Sequence, residues 1–447
     1  MAFDSPSPIM AKPNSIAQET ESGSGYPSNR RRFLLLVSLF LISAFAQIDR
    51  VLPFILLESI KADLSLSDTQ VGLLTGVAFA VCYALLSLPF AYLSDRGSPR
   101  AILVLCTLVW SVMTAMGGLA ASFMLLAMTR FGVAIGEAGA VPSGHALIAR
   151  KVSPMHRGVA IGVFSLGMPI GTMAGFGLGG AINDMFGWRA ALMGAGMMGC
   201  LIGIFALLAI GPTPPRRPQR GADTQSFVGA SMQLLASPPF RWLVVGAVTL
   251  GFAATPFYAF ATPFLIRTHG YSASEAGLAF GVLQGISGVA GTLLGGRGFD
   301  RVARHKSSAM LAAPAILFII AAVTTTMALF VPVGWLCIVL LLPAMFAFAF
   351  TLPYAFGSAH LVAGRGREAM ASSLGMIGSS LVGPAIGPLL VGVISDAASA
   401  AHVANGLGLG LLVVPVATVL TATAYLIANR RSHDWFQASV VPEHRRG

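Results

Sequence analysis

The chain has 447 residues, of which 55% are hydrophobic and 10% are charged, and its formal net charge is +11. Its mean hydropathy is +0.78. An ordinary soluble domain carries about 25% charged residues, so the composition excludes a soluble domain and predicts a polytopic membrane protein. The cysteines lie in apolar segments without CxxC spacing, so we expect packing residues and neither disulfides nor metal ligands. They are Cys82, Cys106, Cys200 and Cys337.

The first 29 residues are polar, rich in Ser, Pro and Gly, and lack the apolar core of a signal peptide. We therefore expect a disordered cytoplasmic N-terminal tail over residues 1–32. Twelve mostly apolar segments follow, each near the roughly 20 residues that a membrane-spanning helix needs. The predicted spans are 33–58, 70–94, 101–121, 123–148, 157–183, 189–211, 240–266, 274–298, 307–331, 334–360, 368–395 and 404–428.

The longest polar break, residues 212–239, is rich in Pro, Arg and Ser and divides the twelve spans six and six. The sequence thus predicts an all-α integral membrane protein with two six-helix bundles, at 33–211 and 240–428, joined by this cytoplasmic linker. A cytoplasmic C-terminal tail, 429–447, completes the predicted organisation.

Lysine and arginine are concentrated on one side of the predicted membrane. If the N-terminus is cytoplasmic, all but five of the 28 basic residues fall on or near the cytoplasmic side. The positive-inside rule therefore predicts that both termini are cytoplasmic, and we expect a bacterial-type inner membrane location. Topology and contact with anionic lipid explain the net charge, so no nucleic-acid partner is expected. The five exceptions are Arg50, Lys61, Arg130, Arg189 and Arg267.

The two halves of the chain resemble each other. GLLTGVAFAVCYALLSLPFAYLSDR begins at Gly72 and GLAFGVLQGISGVAGTLLGGRGFDR begins at Gly277, and in both an Asp-Arg pair follows the first glycine by 23 residues. Helix five ends in INDMFG, and helix eleven ends in ISDAAS. Parallel six-helix repeats are typical of transporters that rock two bundles about a central site.

Four motifs resemble those of the major facilitator superfamily. YLSDRGSPR (92–100) is similar to the loop motif between helices two and three, and GRGFDRVARHK (296–306) is similar to its copy in the second half. RFGVAIGEAG (130–139) and GMPIGTMAGFGLGG (167–180) are similar to the motifs of helices four and five.

Within that superfamily the first half resembles the Spinster branch. The resemblance implies the superfamily fold and the transport of lysolipids, such as sphingosine-1-phosphate and lysophospholipids, in some members with coupling to protons. The matching stretches are concentrated in residues 45–195. In the second half only the architecture is similar. The matching stretches are QIDR at 47–50, LSLSDTQVGLL at 64–74, YALLSLPFAYLSDR at 83–96, RFGVAIGEAGAVPSGHALIA at 130–149, RGVAIGVFSLGMPIG at 157–171 and FGWRAAL at 186–192.

Charged residues interrupt helices one and four. Each costs a few kcal/mol or more inside a bilayer, which makes it a functional candidate by default. With a rise of 1.5 Å per residue, Asp49 and Arg130 both lie roughly 10 Å below the outer surface, so Asp49 can reach Arg130. Glu137 lies two turns further along the face of helix four that carries Arg130.

This arrangement suits a proton switch. Burial raises the pKa of a carboxylic acid and a neighbouring arginine lowers it, so moving the arginine away favours proton uptake. We therefore predict Glu137 as the principal proton carrier, Asp49 as a second carrier and Arg130 as the movable counter-charge. Arg50 is predicted to hold an anionic headgroup, with Arg130 and Glu137 also at the substrate site. The alternative is a static ion-pair cluster between helices one and four.

Four further side chains are predicted to line the substrate cavity, since they lie on helices that do so in the superfamily. Packing or interhelix hydrogen bonding is the alternative for each. The embedded charges all lie in the first half, while phenylalanines dominate the second. A cavity with one charged wall and one apolar wall would suit an amphipathic substrate. The four residues are Tyr83, Tyr258, Gln284 and Tyr354, and the phenylalanines are Phe257, Phe260, Phe280, Phe346, Phe348, Phe350 and Phe356.

The repeated Asp-Arg pairs are predicted to gate the cytoplasmic side. A carboxylate at one helix end can bond the N-terminal amides of a neighbouring helix; a solvated loop charge is the alternative. The predicted gating residues are Asp95, Arg96, Arg100, Asp300 and Arg301, whereas Glu58, Lys61, Asp63 and Asp68 are interpreted as loop and cap residues.

The sequence therefore predicts a proton-coupled secondary transporter that moves lysolipids or similar amphiphilic anions by alternating access. The alternatives are an organic-anion or drug carrier and a non-transporting membrane sensor. No HExxH or Walker motif is present, so neither an enzyme with catalytic or metal-binding residues nor ATP-driven transport is expected. The expected partners are the lipid bilayer and an amphipathic small molecule, with the proton as coupling ion, no cofactor and a monomeric state.

Overall fold

The structure, a computed structural model, describes residues 29–153, 156–213, 227–304, 310–363 and 368–440. In these ranges the secondary structure is helical and no strand occurs. Eleven helices are long and apolar enough to cross a membrane, and the longest of them contains two crossings. It breaks at Gly187, whose φ of 81° and ψ of 165° are not helical. The described residues therefore form the twelve predicted spans.

The first bundle contains spans 1 to 6. Span 2 includes one π-helical turn, and span 4 is interrupted at Gly139. The helices are Asn29–Leu64 for span 1; Asp68–Gly72, Leu73–Val77 and Ala78–Arg96 for span 2; Pro99–Gly117 for span 3; Phe123–Ala138 and Ala140–Lys151 for span 4; and Arg157–Ala209 for spans 5 and 6.

The second bundle contains spans 7 to 12, and span 11 carries a π-helical turn as span 2 does. The helices are Pro238–His269 for span 7; Ala273–Arg304 for span 8; Ala312–Phe330 for span 9; Gly334–Ala363 for span 10; Glu368–Ile377, Gly378–Val382 and Gly383–Ala400 for span 11; and Gly406–Leu411 with Val413–Val440 for span 12.

Local signals start and stop these helices. Ser67 and Gln70 form a reciprocal capping box at the start of span 2. Ser98 and Ser122 accept backbone hydrogen bonds at the starts of spans 3 and 4. Span 7 ends at Gly270, whose φ of 71° lies in the left-handed region that favours glycine.

Several predicted boundaries differ from the observed helix ends by more than a turn, and one helix is absent from the prediction. Span 1 runs on to Leu64, because its polar last turns are held by contacts with other helices rather than by lipid. The predicted linker contains a helix, Phe227–Ala236. The last helix continues through the predicted tail to Val440; Asn429 anchors it by accepting a hydrogen bond from the Leu311 amide at 2.9 Å.

The two bundles touch at one end. We call the end at which span 1 begins and span 12 finishes the proximal end, and the opposite end, where spans 1 and 2 are joined, the distal end. Spans 5 and 8 approach closely at the distal end, where a Cβ on Gly180 would lie 2.3 Å from the Ala273 carbonyl oxygen. On Gly277 it would lie 2.2 Å from the Phe176 oxygen. Glycine is required at both positions because the backbones are in direct contact.

Candidate functional site

A cavity of about 980 Å³ lies between the two bundles, lined by residues of spans 1 to 8, 10 and 11. This size is near the upper end of small-molecule sites, which run to roughly 1,000 Å³. Among the lining residues that the structure describes, the charged ones are Arg50 of span 1 and Arg130 of span 4. Both positive charges therefore face the cavity from the first bundle, as the sequence predicts.

Arg50 forms an ion pair with Glu137. Its terminal nitrogen donates to Glu137 Oε2 at 2.6 Å, and its Nε donates to the same oxygen at 3.2 Å. The guanidinium also lies over the ring of Tyr83, 5.1 Å from the centroid. The Arg50 side chain is 33% exposed, whereas that of Glu137 is 1% exposed. The arginine therefore separates the buried carboxylate from the cavity.

Asp49 faces a different set of partners. Its Oδ1 accepts a hydrogen bond from Thr114 Oγ1 of span 3 at 2.5 Å, and its Oδ2 lies 3.7 Å from a terminal nitrogen of Arg130. Asp49 and Arg130 are both buried. The predicted contact between Asp49 and Arg130 is therefore present, and Thr114 is a partner that sequence reasoning missed.

The structure changes one detail of the predicted proton switch. Arg130 and Glu137 share a face of span 4, but the nearest counter-charge of Glu137 is Arg50. Glu137 Oε1, Asp49 Oδ2 and an Arg130 nitrogen are buried without a hydrogen-bond partner among the described residues. A buried polar atom without a hydrogen-bond partner costs free energy unless a proton or another polar group reaches it. The proton-coupling roles stay predictions, with Arg50 as the geometric partner of the principal carrier.

Three of the four further predicted lining residues are in the cavity wall: Tyr83, Tyr258 and Gln284. Gln284 Nε2 donates to the Tyr258 hydroxyl at 2.9 Å, which joins spans 7 and 8. Tyr354 is elsewhere, because its ring is buried and stacks on Phe350 within the second bundle. The structure therefore does not bring Tyr354 to the cavity with the others.

The second-bundle wall has few aromatic rings. Phe348 is the only one of the seven phenylalanines named above among the lining residues. Phe257, Phe260 and Phe280 are instead buried in the core, where large aromatic rings contribute most to packing. The wall itself is uncharged, with small, aliphatic and hydroxyl side chains in addition to the Tyr258–Gln284 pair.

At the distal end, a cluster of charges joins the bundles. We name it the distal cluster: Glu58, Lys61, Asp68, Arg267 and Asp396. Arg267 of span 7 donates to Asp68 at 2.8 and 3.0 Å and to Glu58 at 2.7 Å. Lys61 also donates to Asp68, at 2.5 Å. Glu58 and Asp68, interpreted from the sequence as loop and cap residues, therefore form ion pairs across the two bundles.

Two carboxylates at the distal end cap helices of the opposite bundle. Asp396 of span 11 accepts from the backbone amides of Asp68 and Thr69, at 2.9 and 2.8 Å, at the start of span 2. Asp184 of span 5 accepts from the amide of Ser274 at 2.7 Å, at the start of span 8. Each negative charge satisfies free N–H groups and lies at the positive end of a helix dipole.

The predicted gating residues lie at the proximal end. Arg100 donates to the Leu207 carbonyl at 2.5 Å, within the first bundle. Asp300 and Arg301 are exposed near the end of span 8, and the Asp300 carboxylate accepts no backbone amide from the described residues. The side chains of Asp95 and Arg96 lie outside the described part. Capping of a helix by a carboxylate of the opposite bundle is observed for Asp184 and Asp396, and the gating roles of the Asp-Arg pairs stay predictions.

A signal for the distal residues is present in the sequence. The equivalent endings INDMFG and ISDAAS contain Asp184 and Asp396. The basic residues that the positive-inside rule leaves outside the cytoplasmic side all have carboxylate partners in the structure. A basic residue within the membrane or on its non-cytoplasmic side thus predicts a carboxylate partner, although the sequence alone does not identify that partner.

The sequence also matches a known protein family. The sequence profile of the Major Facilitator Superfamily matches residues 39–388. The chain belongs to this superfamily. An MFS-type efflux pump of Mycolicibacterium smegmatis is 31% identical to this chain. The alignment covers 93% of this chain and 96% of the efflux pump. It is 25% identical to protein spinster homolog 1 of Xenopus tropicalis, over 83% of this chain and 74% of the relative.

Solved structures support the Spinster resemblance within the superfamily. A bacterial homologue of the human lysosomal transporter Spinster, inward-facing and unoccupied, superposes with a TM-score of 0.82 at 28% identity. The alignment covers 91% of this chain and 99% of that one. The occupied inward-facing form of the bacterial Spinster homologue superposes with a TM-score of 0.76 at 27% identity, covering 93% and 98%. The chain is therefore an integral membrane transporter of Spinster-like fold.

Proposed function

We propose that this protein is a proton-coupled secondary transporter that moves lysolipids or similar amphiphilic anions by alternating access. The observation that supports this most strongly is the cavity between the bundles. Its two charged lining residues, Arg50 and Arg130, are cations, and each is paired with a buried carboxylate behind it. The uncharged wall of the second bundle is suited to an acyl chain.

The Arg50–Glu137 pair supplies the coupling step. A substrate anion that binds Arg50 competes with Glu137 for the same guanidinium. Glu137 is buried. Without its counter-charge, its side chain is therefore stable in the membrane chiefly when it carries a proton. Anion and proton are then bound together and released together, which links substrate occupancy to protonation.

The distal cluster supplies the closed gate in this conformation. The ion pairs and hydrogen bonds between bundles described above lie in the distal half of the molecule, which leaves the cavity to open toward the proximal end. We propose that the proximal end is cytoplasmic, with both termini there, in a bacterial-type inner membrane. In the opposite state the distal contacts separate, and the predicted gating residues close the proximal side.

The test uses protein reconstituted in liposomes with a trapped pH-sensitive dye. Adding a lauroyl lysophospholipid outside should acidify the lumen of vesicles with the wild-type protein, because anion and proton cross together. Glu137→Gln should abolish the substrate-dependent pH change while exchange of labelled lysophospholipid continues. The matched control is Glu275→Gln, since Glu275 is an exposed carboxylate at the start of span 8, outside the cavity wall.

The outcomes separate the parts of the proposal. Lysophospholipid uptake without any pH change in the wild type would contradict proton coupling. An unchanged pH response in Glu137→Gln would contradict the assignment of Glu137. No lysophospholipid uptake by the wild type would contradict the substrate class.

An organic-anion or drug efflux carrier is the second candidate. The observation that favours it is the efflux-pump relative, which aligns with 93% of this chain. The same cavity and ion pairs would serve such a carrier. Competition for transport by lysophospholipids, compared with simple carboxylates and with lipophilic drugs, distinguishes the two. We propose that in either case the protein acts as a monomer with the proton as its coupling ion and with no cofactor.

A further inference from the structure

The second-bundle wall of the cavity contains one hydrogen-bonded polar pair, Tyr258 and Gln284, which we call the cavity polar pair. Gln284 Oε1 is buried and has no hydrogen-bond partner within the described part of the chain. If the amide were turned over, the nitrogen would be left without a partner instead. One polar atom of Gln284 is therefore available to a group from outside the protein.

The cavity polar pair lies at the same level as Arg50. Spans 1 and 7 meet where Thr262 Oγ1 donates to the Phe54 carbonyl at 3.4 Å. Arg50 precedes Phe54 by four residues, and Tyr258 precedes Thr262 by four, on helices that run in the same direction. Both residues lie about one helical turn to the proximal side of this contact. The guanidinium and the cavity polar pair therefore line the cavity from opposite bundles near its closed end.

The distance between Arg50 and the cavity polar pair suits a single headgroup. Helices in contact have axes about 8–10 Å apart, so side chains one turn from the contact point can both reach a small polar group between them. Arg50 contributes positive charge there. The cavity polar pair contributes a neutral acceptor and a neutral donor.

Aromatic packing holds the cavity polar pair in place. The Tyr258 ring lies 5.7 Å from Phe257, 6.3 Å from Phe280 and 6.0 Å from Phe348, measured between ring centroids. Phe257, Phe280 and Phe348 are themselves buried. The phenol is therefore preorganised, and little conformational entropy is lost when a ligand binds.

We propose that the cavity polar pair is a specificity site for the headgroup of the substrate. Arg50 binds the anionic phosphate, and Gln284 with Tyr258 binds a hydroxyl or amine on the same headgroup. The preferred substrates are then phosphate amphiphiles whose headgroup has such a hydrogen-bonding group, in preference to those with a bare phosphate ester. This inference rests on the proposed transport of amphiphilic anions and identifies which of them the site selects.

Two synthetic probes test the proposal, dodecylphosphoglycerol and methyl dodecyl phosphate. Both are phosphodiesters with one negative charge and the same dodecyl chain, and they differ in the second ester group, which is glycerol with two hydroxyls in one and methyl in the other. Calorimetric titration of the purified wild-type protein should give about tenfold tighter binding of the phosphoglycerol, since a net hydrogen bond of about 1.4 kcal/mol corresponds to a factor of ten. Gln284→Leu should remove that preference and leave the affinity for the methyl ester unchanged.

Three further variants complete the design. Tyr258→Phe keeps the ring and removes the hydroxyl, so it should reduce the preference even if Gln284→Leu folds poorly. Thr326→Val lies in span 9, outside the cavity, and should retain the wild-type preference. Arg50→Gln should weaken binding of both probes, which distinguishes the anion site from the cavity polar pair.

Equal binding of the two probes by the wild type would overturn the specificity site and leave the proposed transport intact. If Gln284→Leu weakened the binding of both probes equally, the specificity site would also be overturned. The cavity polar pair would then serve only to hold spans 7 and 8 together. Binding of neither probe by the wild type would overturn the proposed substrate class and this inference with it.

Discussion

At the scale of single residues, neighbours in sequence serve different partners. Asp49 and Arg50 are adjacent on span 1, yet Asp49 contacts Arg130 and Arg50 contacts Glu137. Adjacent positions of a helix differ by about 100° in direction, so they cannot face the same point. Side chains also tilt toward the N-terminus of their helix, which directs Arg50 to the proximal side of Asp49, and Glu137 lies to the proximal side of Arg130 on span 4. Two separate ion pairs thus form, whereas the sequence predicts Arg130 as the counter-charge.

The Arg50–Glu137 pair predicts a stability effect that depends on the partner. Arg50→Ala leaves a buried carboxylate without a counter-charge, which should lower the free energy of unfolding by about 3–5 kcal/mol near neutral pH. Combining it with Glu137→Gln should recover most of that loss, because the uncompensated charge is removed. Thermal unfolding of the purified variants in detergent measures both effects.

Acidification provides an internal control for this prediction. The destabilisation of Arg50→Ala should shrink as the pH falls, because protonation of Glu137 removes its charge, whereas the double variant should show no such dependence. Losses that simply add in the double variant would mean that the two side chains do not stabilise each other.

At the scale of helices, the contact between spans 5 and 8 determines where the bundles touch. Gly180 and Gly277 allow direct backbone contact at the distal end. Further along span 8 the contact ends: a Cβ on Gly285 would be 3.5 Å from Met173, and one on Gly288 would meet nothing within 4 Å. The two spans therefore diverge toward the proximal end, and this divergence forms part of the cavity.

Gly277→Val should separate the distal ends of spans 5 and 8. Its Cβ would lie 2.2 Å from the Phe176 carbonyl oxygen, so the backbones must move apart by about 1 Å or more to reach ordinary contact. Spin labels at Met185 and Thr268, in a background without the four native cysteines, report the distance between bundles. The matched control is Gly296→Val on the same span, where a Cβ meets nothing within 4 Å. An equal distance change in both variants would contradict the prediction.

At the scale of the whole molecule, ion pairs are placed where they join elements. Five basic residues depart from the positive-inside distribution, and all five are paired with carboxylates. Two of these pairs lie beside the cavity, and Arg267 joins the two bundles at the distal end. A conformational change that separates the bundles must break the contacts of Arg267, so they contribute to the balance between the two states.

Arg267→Ala should shift the protein toward the state in which the distal end is open. Hydrogen bonds to charged groups contribute about 1.5–3 kcal/mol each, so loss of the contacts with Glu58 and Asp68 should change the ratio of states tenfold or more. The same pair of spin labels measures the fraction of molecules with the longer distal distance. Arg189→Ala is the matched control, because Arg189 pairs with Asp63 inside the first bundle. A similar shift in both variants would show that the effect is not specific to the interbundle contacts.

The class, the number of spans and the positions of the buried charges are predicted from the amino-acid sequence. A membrane-spanning helix needs a long apolar segment, and an embedded charge is visible within it as an interruption. The repeat of Gly72 and Gly277 and the equivalent endings at Asp184 and Asp396 also indicated two similar bundles. Apolar length and embedded charge are local properties, so they can be predicted from one segment, and the repeat is found by comparing two segments.

Which charges meet and which side chains face the cavity depends on how the helices pack together. Glu137 pairs with Arg50, 87 residues away, and Asp396 caps a helix that begins 328 residues earlier. Tyr354 is buried away from the cavity, as are Phe257, Phe260 and Phe280, while Tyr258 and Gln284 line the cavity. The physical reason is that the rotation of a helix about its axis is determined by packing against neighbouring helices. A uniformly apolar span carries little information in its own sequence about which face will be covered.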